Sequence, residues 1–148
     1  MSVKRHPALV PLSDDHHRAL VLARETVRVG QGGDDAALAT HWQELCEIFV
    51  RELEPHFRVE QDLLFAELEA AGEVALAGRA REEHARLRAL ANSPATHERA
   101  VAFGTLLHDH VRFEERELFP RAERVLAPAA LEAVGRAARA SHSGPVRR

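Results

Sequence analysis

A chain of 148 residues with 45% hydrophobic and 29% charged content fits one globular domain with a sizeable core. Its net charge of −3 gives no basic surplus for nucleic acid or an anionic membrane surface, and no apolar run is long enough to span a bilayer. With one cysteine, Cys46, and no signal-peptide pattern, we expect a cytoplasmic protein without an intramolecular disulfide. Ten histidines are the compositional feature that needs an explanation.

The first two predicted helices follow an extended segment at residues 1–12, which contains two prolines. Ser13 is a favourable N-cap, and the acidic residues after it suit the positive end of a helix dipole. The first helix is expected to stop at Gly30, where glycine favours a helix end. A second helix, capped by the next aspartate pair, is expected to reach Ala71, and Pro55 inside it predicts either a kink or a restart.

Two further long helices and a short one complete the pattern. The third is predicted over 73–91, and Ser93 followed by Pro94 is a start signal for the fourth. The fourth is expected to reach Pro120, and residues 128–148 are expected to form a short helix and a tail. No stretch alternates between apolar and polar residues as a strand would.

Four amphipathic helices joined by short loops predict an all-α, up-down-up-down four-helix bundle over residues 13–127. At about 100° per residue, each helix turns one stripe of side chains toward the core. Each stripe contains one histidine: His16, His56, His84 and His110. In the second and fourth helices a glutamate follows one turn later, Glu60 and Glu114. The core would therefore receive four imidazoles and two carboxylates.

An internal repeat relates the two helices that carry these glutamates. HFRVEQDLLF (56–65) and HVRFEERELF (110–119) share histidine, arginine, glutamate, leucine and phenylalanine positions. A spacing of four places the histidine and the glutamate on one face of a helix, and both side chains bind metals. The pair Asp15-His16 likewise resembles Glu83-His84. The chain is therefore interpreted as two helical hairpins of similar design.

A metal centre explains why two carboxylates face one core. Buried ionised carboxylates repel each other and are costly unless they bind a cation, and a pair of divalent or trivalent cations reverses the sign of that energy. Four nitrogens and two oxygens suit two ions and favour iron, with zinc or manganese as alternatives. Six donors cannot saturate two six-coordinate ions, so positions remain for water, hydroxide or a small diatomic molecule.

Helical phase separates these six residues from other polar side chains. Four neighbours are predicted not to be ligands: His17, outside or behind a ligand, His108, on a polar surface, and Gln61 and Glu115. The last two fall about 140° from their histidines. Asp15 and Glu83 are candidates for orienting the ligands without binding the metal themselves.

At these residues the sequence resembles the hemerythrin-like family of HHE cation-binding domains. The matching elements span about 12 to 120: Asp15-His16, the His56–Glu60 motif, Glu83-His84, and His110–Glu114 with the Glu-Arg-Glu-Leu-Phe-Pro that follows. The resemblance implies a hemerythrin-like bundle, to which the helix predicted after Pro128 is an addition. It also implies that Glu60 and Glu114 bridge two non-haem iron ions, ferrous or ferric. One iron would take His16 and His56, and the other would take His84 and His110.

The resemblance implies several functions, all of which use the same ligands. They are reversible binding or sensing of a small diatomic ligand such as O2 or NO, and handling of iron itself. A di-iron oxidase or peroxide-reducing enzyme is the first alternative, and an iron-storage or iron-responsive bundle is the second. The sequence predicts no catalytic residue and identifies no protein partner.

One position departs from the oxygen-carrying members of that family. They have a second histidine one turn after the ligand of the third helix, and Arg88 stands there in this chain. A guanidinium cannot ligate a metal, so one iron would lack a nitrogen donor. This difference counts against oxygen carriage and leaves room for redox chemistry or for another small ligand.

Overall fold

Helices account for nearly all of residues 4–142, which are the part of the chain that the computed structural model describes. In chain order they are α1 (Val10–Gly32), α2 (35–70), α3 (Val74–Ala91), α4 (97–125) and α5 (Pro128–His142). No strand occurs within the described residues, so the all-α prediction is confirmed. The strict up-down count of four helices stays a prediction. None of the described helices is long and apolar enough to cross a membrane.

The start of α1 differs from the prediction. An extended segment as far as residue 12 is wrong, because a 3-10 turn at Pro7–Leu9 leads directly into α1 at Val10. Pro7 and Pro11 each lie within the first two residues of their helical segment, where the missing N–H is not needed and the fixed φ suits a helix. Ser13 is therefore inside α1 and does not cap it.

The end of α1 is also later than predicted. Gly33, with φ of 78°, follows the last residue and provides the left-handed cap. Gly30 lies inside α1. A Cβ at this position would lie 2.9 Å from the His97 carbonyl oxygen on α4, so the close approach of α4 requires glycine here. A Cβ on Gly104 of α4 would likewise lie 2.5 Å from the Ala23 carbonyl oxygen of α1. These glycines let α1 and α4 pack closely. Later residues of α1 meet earlier residues of α4, so the two helices are antiparallel.

Both α2 and α4 contain π-helical segments. In α2 the successive segments are Asp35–Ile48, π-helical Phe49–Leu53, Glu54–Val59, π-helical Glu60–Phe65 and Ala66–Ala70. In α4 they are His97–Phe113, π-helical Glu114–Leu118 and Phe119–Val125. Each of these helices is therefore one rod that locally widens, and neither breaks at a segment boundary.

The widened turns explain how α2 and α4 accommodate their prolines. The residue before Pro55 donates its N–H five residues back to the Phe49 carbonyl, and the residue before Pro120 donates to the Glu114 carbonyl in the same way. A π turn at this point separates the proline ring from the carbonyl four residues earlier, which is the clash that ordinarily ends a helix. The α-helical geometry resumes at Glu54, immediately before Pro55, and the helix is not interrupted there. The predicted end of the fourth helix at Pro120 is wrong, because the rod continues to Val125.

The other boundaries agree with the sequence except at the start of α4. Helix α3 matches its predicted range to within one residue, and α5 begins at Pro128 as predicted. The start signal at Ser93 is wrong, because its hydroxyl donates to the Ala89 carbonyl at 2.8 Å instead of capping α4. Thr96 is the cap, and its hydroxyl oxygen accepts the Arg99 N–H at 3.0 Å. The predicted tail after residue 142 lies outside the described residues.

The core consists of two apolar clusters with a polar layer between them. One cluster contains Leu12, Leu64, Phe65, Ala80, Leu118, Phe119 and residues of α5. The other contains Ala19, Trp42, Phe49, Phe57, Leu87, Phe103 and Leu107. The change from one cluster to the other occurs between Leu12 and Ala19 in α1, Leu53 and Leu64 in α2, Ala80 and Leu87 in α3, and Leu107 and Leu118 in α4. The six candidate ligands lie in these four intervals.

Candidate metal centre

The polar layer brings together all six side chains that the sequence selects. They are His16 from α1, His56 and Glu60 from α2, His84 from α3, and His110 and Glu114 from α4. Every one of them is at most 4% exposed. The helical phase counted from the sequence therefore identified the inward-facing polar residues of all four helices.

The six residues form two overlapping sets whose donor atoms lie within 4.8 Å of one another. We call the set with His16 and His56 the first position, and the set with His84 and His110 the second position. Glu60 and Glu114 belong to both sets. Each set offers two imidazole nitrogens and two carboxylate oxygens.

Each glutamate divides its two oxygens between the two positions. Glu60 Oε2 lies 3.1 Å from His56 Nε2, and its Oε1 lies 3.0 Å from His84 Nε2. Glu114 Oε1 lies 2.9 Å from His16 Nε2, and its Oε2 lies 3.1 Å from His110 Nε2. This is the placement that a carboxylate needs in order to contact two cations at once.

All four histidines turn Nε2 inward because an outer acceptor holds Nδ1. The Nδ1–oxygen distances are 2.6 Å for His16–Glu115, 2.8 Å for His56–Asp15, 2.8 Å for His84–Gln61 and 2.7 Å for His110–Glu83. An Nδ1–H that donates to oxygen leaves the lone pair on Nε2, which is the atom a metal binds. The outer contacts therefore fix the ring orientation and the tautomer of every candidate ligand.

These outer contacts follow the internal repeat. Asp15 and Glu83, each just before a histidine, hold the histidine of the following long helix, which is the orienting role considered from the sequence. Gln61 and Glu115 each come just after a motif glutamate. Gln61 on α2 holds His84 of α3, and Glu115 on α4 holds His16 of α1. Sequence reasoning missed the contacts of this second pair. The signal for them was their equivalent place, 54 positions apart, in the repeat.

Other polar residues of the motifs lie elsewhere. His17 and His108 are exposed, as predicted. Arg88 forms a two-point ion pair with Glu54, with Nε–Oε1 at 2.9 Å and Nη2–Oε2 at 3.0 Å, and its guanidinium lies over the Phe57 ring. Arg88 is therefore directed to a carboxylate outside the centre.

The buried donor atoms fit a cation better than they fit one another. Among the six candidate ligands, four buried side-chain atoms have no hydrogen-bond partner: His56 Nε2, Glu60 Oε1, Glu60 Oε2 and Glu114 Oε2. The Nε2 atoms of His84 and His110 also face each other at 3.1 Å, and each carries a lone pair when its Nδ1 donates. Cations bound at the two positions would satisfy all of these atoms.

Without a cation, protons must balance the two carboxylates. Burial, followed by the charge of Glu114, raises the pKa of Glu60 well above its usual value. Burial alone would lower the pKa of His110, but Glu114 and Glu83 outweigh it and raise that pKa to about 10. Burial, together with His110, holds the pKa of His84 well below its usual value. Metal binding would replace these protons, as it does at other metal sites.

A small cavity adjoins the centre. Its volume is about 10 Å³, and its walls include His16, His56 and His110 together with Leu53, Phe57 and Leu107. This volume is close to that of one water-sized probe. The space beside the donors therefore fits only a molecule of very few atoms.

Comparison with known proteins gives one match. The family model described as the hemerythrin HHE cation-binding domain matches residues 9–122, which contain all six donors and all four outer acceptors. No curated protein and no solved structure gives a significant match. Helix α5 lies beyond the matched residues.

Proposed function

Because this chain belongs to the hemerythrin family of HHE cation-binding domains, we propose that its polar layer holds two iron ions and binds or senses a small ligand there. Dioxygen and nitric oxide are the ligand class that we favour. His16 and His56 would hold one ion, and His84 and His110 the other. Glu60 and Glu114 would bridge them.

The observation that carries this proposal is the division of each carboxylate between the two positions. An acidic side chain that served a single ion would direct both oxygens to one histidine pair. Instead, Glu60 and Glu114 each have one oxygen within 3.1 Å of a histidine of the first position and the other oxygen within 3.1 Å of a histidine of the second. Bridging by two carboxylates also neutralises both of them, which removes the cost of burying two like charges.

The donor set favours iron over harder or softer metals. Imidazole suits iron, copper, nickel and zinc, whereas carboxylate oxygen also suits harder ions, and a mixed set in a six-donor layer favours iron. When bound there, iron supplies redox and Lewis-acid chemistry. The chain itself holds the ions, orients each imidazole through Nδ1, and excludes bulk water with its two apolar clusters.

The cavity beside the centre has room for about one water-sized molecule, which supports a ligand of very few atoms. Its histidine walls are candidate ligands, and its remaining walls are apolar apart from Asp15, which is engaged with His56. An uncharged molecule enters such a space without leaving a buried charge unpaired. An organic substrate would need a much larger volume, since sites for drug-sized molecules are usually about 300–1,000 Å³.

Optical spectroscopy of protein purified under iron-replete conditions tests this function. We expect the spectrum of the ferrous protein to change when dioxygen or nitric oxide is added and to recover when the gas is removed under argon. Turnover of hydrogen peroxide without a reversible change would instead support the enzyme alternative. Loss of helical circular dichroism on chelation, with neither reaction, would support the iron-responsive alternative. An unchanged spectrum in an iron-loaded protein with either gas contradicts the small-ligand proposal.

A further inference from the structure

We propose that Gln61 and Glu115 make the two positions of the metal centre unequal, so that the first position holds its ion more tightly than the second. This inference rests on the proposed two-ion function and goes one step further. Gln61 and Glu115 are positioning residues, because each contacts a histidine and neither belongs to the two sets of candidate donors.

At the first position both histidines donate to carboxylates. His16 Nδ1 lies 2.6 Å from Glu115 Oε2, and His56 Nδ1 lies 2.8 Å from Asp15 Oδ2. A carboxylate that accepts from Nδ1 makes the imidazole a more basic metal ligand. It also places a negative charge one imidazole ring away from the bound cation.

At the second position only one acceptor is charged. His110 Nδ1 donates to Glu83 Oε1 at 2.7 Å, whereas His84 Nδ1 donates to the amide oxygen of Gln61 at 2.8 Å. The amide fixes the tautomer and ring orientation as well as a carboxylate does, but it adds no charge. The same place in the internal repeat thus carries a carboxylate in one half of the chain and a neutral amide in the other.

Arginines outside the centre offset the charge of each carboxylate, so the difference between the two positions lies in the acceptor that each Nδ1–H meets. Each of the three carboxylates has one arginine on its outer side: Arg5 at Glu115, Arg18 at Asp15 and Arg79 at Glu83. Asp15 also accepts from His142 of α5. The charged acceptors are therefore similarly compensated, and Gln61 is the member of the group that differs.

Competition with a chelator tests the inequality. Protein loaded anaerobically with iron(II) is equilibrated with increasing amounts of a chelator, and the iron that remains on the chain is counted. We expect the wild-type protein to lose one ion at a chelator level roughly 10–100-fold below that needed for the other, which is the usual effect of an outer hydrogen-bond partner on metal affinity.

Two nearly isosteric variants assign the two steps. Gln61→Glu should strengthen the weaker step and close the gap, whereas Glu115→Gln should weaken the stronger step and also close it. The double exchange, Gln61→Glu with Glu115→Gln, should reopen the gap, because one position again has two carboxylate acceptors. A purely structural role for these residues would not restore two separate steps in the double variant.

Matched controls change the same charges elsewhere. Gln43→Glu adds a carboxylate to the exposed face of α2, and Glu117→Gln removes an exposed carboxylate from α4, the helix that carries Glu115. Both should leave the two steps unchanged. Wild-type protein that binds two ions and releases them in one step overturns this inference, as does an unchanged gap in Gln61→Glu. Wild-type protein that takes up no iron instead overturns the proposed function itself.

Discussion

Glu60 and Glu114 each occupy the first residue of a π-helical segment, Glu60–Phe65 in α2 and Glu114–Leu118 in α4. The two halves of the internal repeat therefore share a backbone irregularity as well as a sequence. π turns often occur at functional sites because they redirect side chains without ending a helix. Here each π-helical segment begins at the carboxylate that faces the centre and includes the next residue, Gln61 or Glu115, which contacts a histidine.

The bridging role predicts that one glutamate supports both ions. Glu60→Ala should lower the iron content from about two ions per chain to one or none, because both positions lose an oxygen donor. Glu67→Ala removes an exposed glutamate from the same helix and is the matched control. Elemental analysis gives the count, and a Glu60→Ala protein that retains two ions would show that this carboxylate does not bridge.

The phase of α4 predicts opposite results for two histidines only two residues apart. His110 is 1% exposed and faces the centre, whereas His108 is exposed and contacts Asp109. His110→Ala should abolish at least one bound ion, and His108→Ala should leave the iron content intact. Equal losses in the two variants would contradict the assignment of the inward face.

Arg88 is predicted to be dispensable for metal binding. Its guanidinium is held by Glu54 and belongs to neither donor set, so Arg88→Ala should keep the wild-type iron content. The pair is partly exposed, and we expect its loss to lower the free energy of unfolding by no more than about 1 kcal/mol. Thermal unfolding and elemental analysis measure the two effects, and a drop in iron content would mean that Arg88 acts on the centre.

Removal of the metal is predicted to destabilise the fold. A ligand that binds only the folded state at 100 times its dissociation constant adds about 2.7 kcal/mol to the free energy of unfolding. For a domain of this size that free energy corresponds to a fall in Tm of roughly 5–10 °C on chelation. Calorimetry of the loaded and chelated protein tests this, and an equal Tm for both would indicate that no ion is bound in the core.

Close packing of α1 against α4 predicts a large cost for one added methyl group. Gly104→Ala would place a Cβ 2.5 Å from the Ala23 carbonyl oxygen and 2.6 Å from Val27 Cγ2, so the helices must separate. We expect a loss of about 1–3 kcal/mol in the free energy of unfolding. Gly78→Ala in α3, where a Cβ meets nothing within 4 Å, should instead add about 0.5–1 kcal/mol. Denaturant unfolding of the two variants compares them directly, and a Gly104→Ala protein as stable as Gly78→Ala would contradict the packing.

The sequence was sufficient to predict which side chains face the core wherever the helices are regular. One inward histidine per helix follows from 100° per residue, and all four are buried where that rule places them. The rule is less informative where the backbone departs from the α-helix. The count from His56 and His110 excludes Gln61 and Glu115 as ligands, and neither is in a donor set, but it does not predict their contacts with Nδ1 of two other histidines. Both residues lie in π-helical segments, which contain more residues per turn. Nothing local in the sequence marks such a turn, because tertiary contacts select it.

The position of the helix ends was less predictable for a related reason. Pro120 ends a regular α-helix but is accommodated by the preceding π turn. Gly30 favours a helix end by itself, yet it is required within α1 by the approach of α4. Both errors arise where packing between helices overrides a local preference.

The count of iron ions per chain tests the central claim most directly. Protein produced with sufficient iron, freed of loosely bound metal and measured by elemental analysis, should contain two ions. That number follows from two sets of buried donors that share Glu60 and Glu114. Two ions per chain is the result that this account predicts, and a folded protein with one ion or none would contradict it.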